Sequence, residues 1–311
     1  MNRIIKSILF AAVLLCTASC YEDYINDYEY PNMGFALTKQ VRTVVADKNQ
    51  IYVGVSIGGK REIDMNDWAE FVVDESLLEG TSFTLLPENY YSLSDGKTMR
   101  VCKQNIAVAD VGVSFTDDFY NDPKSTGNTY ALPLRITKTS ITSAENPDGA
   151  IREGGESAVI VIKYISSYSG TYYRAGSEVE VDVDGNETGD RLYYEDKDLS
   201  RNQTVRLSTV SRYCVSCKGL GTYAAAAMRL YVTKTESQEA YTVRLESDDA
   251  VISDFKARYV MEGDYTFYSG DEVAPQFELE YTYSAGGKTF KVSEKLVLRQ
   301  WPESELKVET F

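Results

Sequence analysis

Residues 277–298 read FELEYTYSAGGKTFKVSEKLVL, and this stretch decides the fold class. Apolar or aromatic side chains recur at every second position on both sides of Gly286-Gly287. A period of two residues is typical of a strand with one face toward a core, and two glycines between such runs indicate a tight hairpin turn. The stretch therefore predicts two long antiparallel strands joined by a short turn.

The rest of the chain repeats this pattern. Further alternating or β-branched runs lie at 51–57, 111–115, 130–136, 159–165, 178–184 and 241–245. We expect an all-β protein, with an N-terminal immunoglobulin-like β-sandwich over residues 35–165. A second antiparallel domain, either a β-sandwich or a small barrel, follows over residues 166–311, because periodicity does not separate these two forms. Residues 65–71 are the exception, where Asp64 or Asn66 could cap a single helical turn.

The composition excludes several classes of protein. The chain has 311 residues and no histidine, which excludes Ser-His-Asp catalysis, HExxH zinc sites and histidine-ligated haem. It carries 32 Lys+Arg against 47 Asp+Glu, a formal charge of −15. This acidic excess argues against a nucleic-acid partner, which would need a basic patch to meet phosphates.

The first residues carry an export signal. Arg3 and Lys6 precede a short apolar run, which predicts a signal peptide over residues 1–19. Thr17-Ala18-Ser19-Cys20 resembles the lipobox of bacterial lipoproteins, with Thr17 at the usual leucine position. The resemblance implies cleavage before Cys20 and lipidation of that residue. The alternative is an ordinary secretory signal with incidental cysteines.

The residues after Cys20 predict where the mature protein lies. Residues 20–34 are polar and form a predicted lipidated tether, and Glu22-Asp23 resembles the signal that exports lipoproteins to the cell surface. We therefore expect a lipid-anchored outer-membrane protein that faces the cell exterior. Without residues 1–19 the formal charge is 30 − 47 = −17.

Three cysteines remain after Cys20. Cys214 and Cys217 form a CxxC pair, for which a local disulfide and two unpaired thiols both stay open, and Cys102 is expected to be free. A zinc site needs four ligands and the sequence lacks them, so we expect no metal there. Asp182-x-Asp184-x-Asn186 mimics the start of a calcium loop, but the glycine and the final glutamate of such a loop are missing.

Two longer motifs carry a family resemblance. Residues 85–93 read LLPENYYSL and residues 130–136 read YALPLRI. Together they resemble an immunoglobulin-like N-terminal domain of surface lipoproteins in Sus-like glycan-uptake systems, which also precedes some family-18 endoglycosidase modules. The stretch from Tyr168 to Trp301 is similar to a C-terminal β domain that is often paired with it.

The resemblance implies a SusE-like glycan-binding lipoprotein without catalysis. Its implied partners are a SusD-like protein and a TonB-dependent transporter. No binding residue is carried over, because no motif fixes one. The residues after 165 are too few for a family-18 (β/α)₈ barrel, and the DxxDxDxE-type run of those enzymes is missing.

Aromatic side chains are the candidate sugar contacts, since their rings stack on sugar faces and Tyr also offers a hydroxyl. The candidates are Trp68, Tyr172, Tyr173, Tyr193, Tyr194, Tyr223, Tyr268 and Trp301. We favour the pairs Tyr172-Tyr173 and Tyr193-Tyr194, because neighbours in a strand face opposite sides, and Trp301, which follows the last strand. The alternative for each is an ordinary strand or core residue.

These observations support one leading function and two alternatives. The leading hypothesis is a surface lipoprotein that binds oligosaccharides or polysaccharides, with no catalytic residue and no cofactor. The first alternative is a structural or adhesive surface protein that binds a protein partner. The second is a glycoside hydrolase that uses a carboxylate pair, which counting acidic residues does not exclude.

Overall fold

The computed structural model describes residues 31–48, 50–60, 63–103, 106–142, 147–235, 240–267 and 272–311. Within them the strands form two sheets, and the all-β prediction is confirmed. The α-helices are α1 (Asp117–Asn121) and α2 (Pro302–Glu305). No helix in this described part of the chain is long and apolar enough to cross a membrane. The predicted signal peptide, Cys20 and Tyr268 lie outside the described residues.

The first sheet is a curled sheet of ten strands. They are β1 (Asn32–Gly34), β2 (Lys39–Val45), β3 (Gln50–Gly58), β4 (Trp68–Val73), β5 (Thr84–Leu85), β6 (Tyr91–Leu93), β7 (Thr98–Val101), β8 (Val108–Phe115), β9 (Tyr130–Thr139) and β10 (Ser157–Ile165). Their order is β1-β3-β8-β7-β4-β9-β10-β2, with β5 beside β9 and β6 beside β8. The curl wraps the sheet around one core that includes Phe71, Leu132 and Ile160.

The second sheet closes into a barrel. Its strands are β11 (Gly170–Val181), β12 (Leu192–Tyr193), β13 (Gln203–Ser211), β14 (Cys214–Leu220), β15 (Tyr223–Thr233), β16 (Ala240–Glu246), β17 (Val251–Val260), β18 (Gln276–Ala285) and β19 (Lys288–Leu298). Strand β11 pairs with β13 on one edge and with β19 on the other, so eight strands form a closed ring and β12 extends the wall. Of the two forms expected for this region, the barrel is therefore the one found.

The predicted hairpin at Gly286-Gly287 joins β18 to β19. Ala285 pairs with Lys288, which leaves a two-residue turn. Gly286 and Gly287 have φ angles of 60° and 79°, in the left-handed region that glycine adopts without a steric penalty. The predicted turn is confirmed, and it fixes the register of both strands over their full length.

One end of the barrel contacts the first sheet. Arg212 lies in the turn between β13 and β14, and its Nη2 donates to Asp47 Oδ1 at 2.9 Å while its Nη1 donates to Asp117 Oδ1 at 2.6 Å. The guanidinium also lies 4.7 Å from the ring centre of Tyr120. Strand β14 runs away from this turn, so the turn at 221–222 lies at the opposite, distal end of the barrel.

Two local predictions differ from the structure. Residues 68–71 belong to strand β4 rather than to a helical turn, because Ala69 and Phe71 point into the first core. The predicted tether reaches residue 34, but Asn32–Gly34 form β1, which pairs with β3 and buries Met33 completely. In both cases burial of an apolar side chain decides the local structure over intrinsic preference.

Candidate functional site

In each favoured tyrosine pair, one side chain faces the barrel interior and the other faces outward. Only the outward-facing side chain could contact a ligand. Tyr172 is fully buried inside the barrel and its hydroxyl donates to the Tyr168 carbonyl at 2.9 Å. It offers no ring face to a sugar, so we withdraw it as a candidate. Tyr173, on the outer face, is half-buried.

The second pair divides in the same way. Tyr193 is 63% exposed on the outer face of β12. Tyr194 points into the barrel, where its hydroxyl donates to Glu294 Oε2 at 3.1 Å. Burial and the charge of Glu294 raise the pKa of the Tyr194 phenol above its usual value. Tyr194 is therefore a part of the barrel interior rather than a surface platform.

Trp301 lies at the end of the barrel that contacts the first sheet. Its Nε1 donates to the Glu272 carboxylate at 3.2 Å, and its ring packs 5.5 Å from that of Phe267. Lys48, in the turn between β2 and β3, lies over the same ring. The indole thus packs where the two sheets meet, far from the distal end. The five favoured aromatics do not converge on one site.

The possible disulfide between Cys214 and Cys217 is not formed, because both thiols are free and buried. They lie three residues apart in strand β14, which is roughly 10 Å along an extended chain. A disulfide needs Cα atoms within about 7 Å and side chains that point toward each other. The sequence alternative of unpaired thiols is the correct one. Burial raises the pKa of the Cys217 thiol to about 12.

The acidic loop after β11 closes as a turn. Asp182 Oδ1 accepts from the backbone amides of Asp184 and Asn186 at 3.0 and 2.8 Å. This arrangement uses the carboxylate to close an Asx turn. Among the described residues, no group of three or more Asp, Glu or Cys side chains is arranged to hold a metal ion.

A charged network fills the distal half of the barrel interior. Arg174 Nε donates to Glu294 Oε2 at 2.7 Å, and Tyr281 donates its hydroxyl proton to Glu294 Oε1 at 2.9 Å. Burial alone would lower the pKa of the Arg174 guanidinium, but the charge of Glu294 raises it overall. Glycines make room for these groups: a Cβ at Gly176 would lie 2.6 Å from that of Glu294, and one at Gly219 would lie 2.7 Å from Arg174 Nη1.

Glu178 extends this network to the distal end. It is almost fully buried, and its carboxylate accepts from the Thr222 amide at 3.0 Å, from the Thr222 hydroxyl, and from the Tyr283 hydroxyl at 3.2 Å. Gly221, with φ of 50°, lies so close that a Cβ there would be 2.0 Å from Glu178 Oε2. The buried carboxylate therefore fixes the turn at 221–222 between β14 and β15.

Tyr223 is the residue that this fixed turn presents to solvent. It is 37% exposed, and its ring is nearly parallel to that of Tyr283, with 6.3 Å between centres. Tyr283 in turn stacks on Phe290 at 5.3 Å. We call the set of Glu178, Thr222, Tyr223, Tyr283 and Phe290 the distal mouth. Tyr223 thus combines an exposed ring with a turn that a buried carboxylate fixes.

A groove of about 500 Å³ opens on the outer wall at the same end. Its sides are residues 181–185, at the end of β11 and in the turn that follows, and Ser253, Asp254 and Lys256 of β17. Its floor includes Thr282 and Thr289. We call it the side groove. Its volume lies within the range of small-molecule sites.

The sequence reasoning missed the charged groups of the interior, although one signal was present. Glu294 is in phase with Val292 and Leu296, and Glu178 is in phase with Tyr172. A charged residue at the same strand face as buried apolar residues indicates a buried charge that has a partner. The side groove carried no local signal, because distant parts of the chain form it.

Comparisons with known proteins support the fold. A family model described as a "-like, N-terminal domain" matches residues 21–143, which is less than half of the chain. No curated protein matches the chain. A Bacteroides ovatus protein of unknown function is similar over 90% of this chain and 98% of its own, with a TM-score of 0.68 and 20% identity. This similarity shows a shared two-sheet fold and nothing about ligands.

Two further structures from Bacteroides ovatus are more distant. One, of unknown function, covers 91% of this chain and 97% of its own at 12% identity, with a TM-score of 0.40. The other, described as a "putative carbohydrate binding protein", covers 90% and 98% at 10% identity, with a TM-score of 0.30. TM-scores this low do not show a shared fold or a shared ligand.

Proposed function

We propose that this protein is a lipid-anchored surface protein that binds glycans at the distal mouth, for a Sus-like uptake system and without catalysis. One observation carries the proposal. Tyr223 holds an exposed aromatic ring on a turn that a buried carboxylate fixes, next to two further stacked rings. A rigid aromatic face beside polar groups is the type of surface that binds the apolar face of a sugar ring.

The mouth offers polar contacts beside this ring. The Thr222 side chain is exposed, and its hydroxyl donates to Glu178. Its oxygen lone pairs can therefore accept from a sugar hydroxyl while its proton stays on the carboxylate. The fixed turn lowers the conformational entropy that binding costs, because Tyr223 is already held by its backbone.

The two buried carboxylates near the distal mouth are not available for hydrolysis. Glu294 has a side chain with 0% exposure, and Arg174, Tyr194 and Tyr281 occupy its oxygens. Glu178 is bonded to Thr222 and Tyr283. A glycosidase needs one carboxyl group that protonates the leaving oxygen and another that reaches the sugar or a water molecule. These two residues are committed to the barrel interior.

The proposed location rests on the sequence. Lipidation at Cys20 would attach the protein to the membrane through the chain that precedes β1. The SusD-like protein and the TonB-dependent transporter remain partners implied by the resemblance.

Affinity electrophoresis tests the binding proposal. The purified full-length protein is run through native gels that contain amylopectin, mannan, xyloglucan or galactan. We expect at least one polysaccharide to retard the wild type and to release no sugar on long incubation. Failure of every polysaccharide to retard it, together with capture of a protein ligand, would support the adhesive alternative. Released sugar would establish the hydrolase.

Anchoring is tested separately in cells. Labelled palmitate should enter the wild type and not C20A, and protease added to intact cells should degrade the wild type. Label that persists in C20A would contradict the anchor. Protection from protease would contradict exposure at the cell surface.

A further inference from the structure

Charged side chains without partners among the described residues line the side groove. Lys256, Lys291, Asp184, Asp254 and Glu280 all line it. None of these five side chains forms an ion pair or a side-chain hydrogen bond within the described part of the chain. Five charged groups around one groove therefore have their hydrogen-bonding capacity available to a ligand.

Neighbours on the same strands behave differently. Arg258 on β17 pairs with Glu278 on β18 at 2.6 Å. Lys288 on β19 pairs with Glu180 on β11 at 2.8 Å. Both of these pairs lie on the outer wall outside the groove. Lys256 is directly opposite Glu280 in the register, yet the two are not bonded. The groove thus gathers around one cavity five charged side chains that pair with no described residue, whereas neighbouring charges on the same strands form ion pairs.

The two sides of the groove are shaped by irregular backbone. Pairing between β17 and β18 shifts register between Ser253 and Lys256, a bulge that displaces Asp254 from the ladder. Asp254 has φ of 46°, a left-handed conformation that is costly for a residue with a side chain. On the other side, the Asx turn of Asp182 holds Asp184 beside the groove. Both acidic side chains therefore project from fixed backbone.

We infer that the side groove is a second carbohydrate subsite, one that binds a neutral sugar through its hydroxyl groups. The inference rests on the proposed function and adds a site to it. A carboxylate accepts from two neighbouring hydroxyls at once, and an ammonium donates to hydroxyl and ring oxygens. A groove with free groups of both kinds suits a ligand whose every hydroxyl donates and accepts. Charge-assisted hydrogen bonds of this kind are about twice as strong as neutral ones.

The charge balance of the groove selects a neutral sugar. Three free carboxylates face two free ammonium groups, and the whole chain has a formal charge of −15. An acidic sugar would place its carboxylate among more carboxylates than ammonium groups. The groove and the distal mouth lie at the same end of the barrel, so one long glycan chain could reach both and gain affinity from the second contact.

The test compares three variants of the full-length protein on the neutral polysaccharide that retards the wild type, with polygalacturonate as the acidic probe. K256A/K291A removes both ammonium groups of the groove. K197A/K307A is the matched control, since it removes two exposed lysines without ion pairs elsewhere on the described surface. Y223A reports on the distal mouth.

We expect K256A/K291A to weaken binding of the neutral polysaccharide at least about tenfold, the effect of losing one charge-assisted hydrogen bond. K197A/K307A should bind as the wild type does. Unchanged binding by K256A/K291A, with weaker binding by Y223A, would overturn this inference and leave the proposed function intact. Tighter binding of polygalacturonate than of any neutral polymer would also overturn it. Absence of binding by the wild type would instead overturn the proposed function, and the subsite with it.

Discussion

Arg174 and Glu294 form a bidentate ion pair inside the barrel, with Nε to Oε2 at 2.7 Å and Nη2 to Oε1 at 3.1 Å. The two residues are 120 positions apart in the sequence and lie on strands β11 and β19, whose pairing closes the barrel. Arg174 also donates to the carbonyl of Gly219 at 3.4 Å. The pair therefore links three strands at the centre of the distal half.

Breaking this pair should destabilise the protein strongly. E294A leaves the Arg174 charge buried without its partner, and we expect a loss of about 3–5 kcal/mol in the free energy of unfolding. R174M/E294L removes both charges, and it should lose less than E294A alone. Urea denaturation measures both. A loss below about 1 kcal/mol for E294A would show that the charge is solvated, in conflict with its burial.

Alkaline pH should unfold the protein through its tyrosines. Burial raises the pKa of the phenols of Tyr172, Tyr259, Tyr281 and Tyr283 above the usual value of about 10. A raised folded pKa gives stability that is complete below the unfolded pKa and is lost as the pH rises through the folded pKa. Stability should therefore fall from about pH 10 upward.

Ultraviolet absorbance of tyrosinate and circular dichroism follow the alkaline transition together. The buried phenols should ionise only as the fold is lost, whereas all 24 tyrosines of the urea-unfolded chain should titrate as one group. A native spectrum that persists after every tyrosine has ionised would contradict the burial of these rings. The absence of histidine removes the side chain that usually titrates between about pH 5 and 8, so stability should be flat there.

Thiol labelling should separate the exposed cysteine from the two buried ones. Cys102 is exposed, whereas Cys214 and Cys217 are buried as free thiols. A thiol reagent should modify Cys102 in the native protein, and modify Cys214 and Cys217 only after urea is added. In C102S the rapid native reaction should disappear. We expect the same electrophoretic mobility with and without reductant. A difference in mobility that depends on Cys214 and Cys217 would show that these residues do form a disulfide.

Replacing Asp254 with glycine should stabilise the fold but weaken glycan binding. Its left-handed φ of 46° is free of steric cost for glycine, so D254G should raise the free energy of unfolding by up to about 1 kcal/mol. The same change removes a carboxylate from the side groove and should weaken glycan binding. Thermal unfolding and affinity electrophoresis provide the two readouts.

Asp47 is the matched control for this substitution. It also has a positive φ, of 70°, but its carboxylate pairs with Arg212 and Lys234. D47G should therefore destabilise the protein and leave glycan binding unchanged. A stability gain in D47G that equals the gain in D254G would show that those ion pairs contribute nothing.

Local features of the fold could be predicted from the sequence, and distant ones could not. The turn at Gly286-Gly287 and the alternation of β18 and β19 depend on neighbouring residues alone. Closure of the barrel depends on β11 meeting β19, a long-range pairing that no local pattern records. The same pairing explains why alternation could not tell Tyr172 from Tyr173. Alternation predicts that one of these two side chains faces inward, but the strand that pairs with β11 determines which one.

The distal mouth shows the same limit for the site. Tyr223 was one of eight aromatic candidates, and its own sequence context did not distinguish it. Its position depends on Glu178, which lies on a different strand and holds the turn before Tyr223 through Thr222. Glu178 lies an even number of residues from buried side chains of β11, so it faces the same side of the strand. This spacing is the sequence signal that could have identified it.

Calorimetric titration of the full-length protein with oligosaccharides of the polysaccharide that retards it tests the central claim most directly. We predict that Y223A weakens binding by about 1–3 kcal/mol, by analogy with stacking on aromatic side chains in other ligand systems. Y223F should keep most of the affinity, and Y52A, which removes a still more exposed ring on the first sheet, should keep all of it. Equal affinity of Y223A and the wild type would contradict glycan binding at the distal mouth.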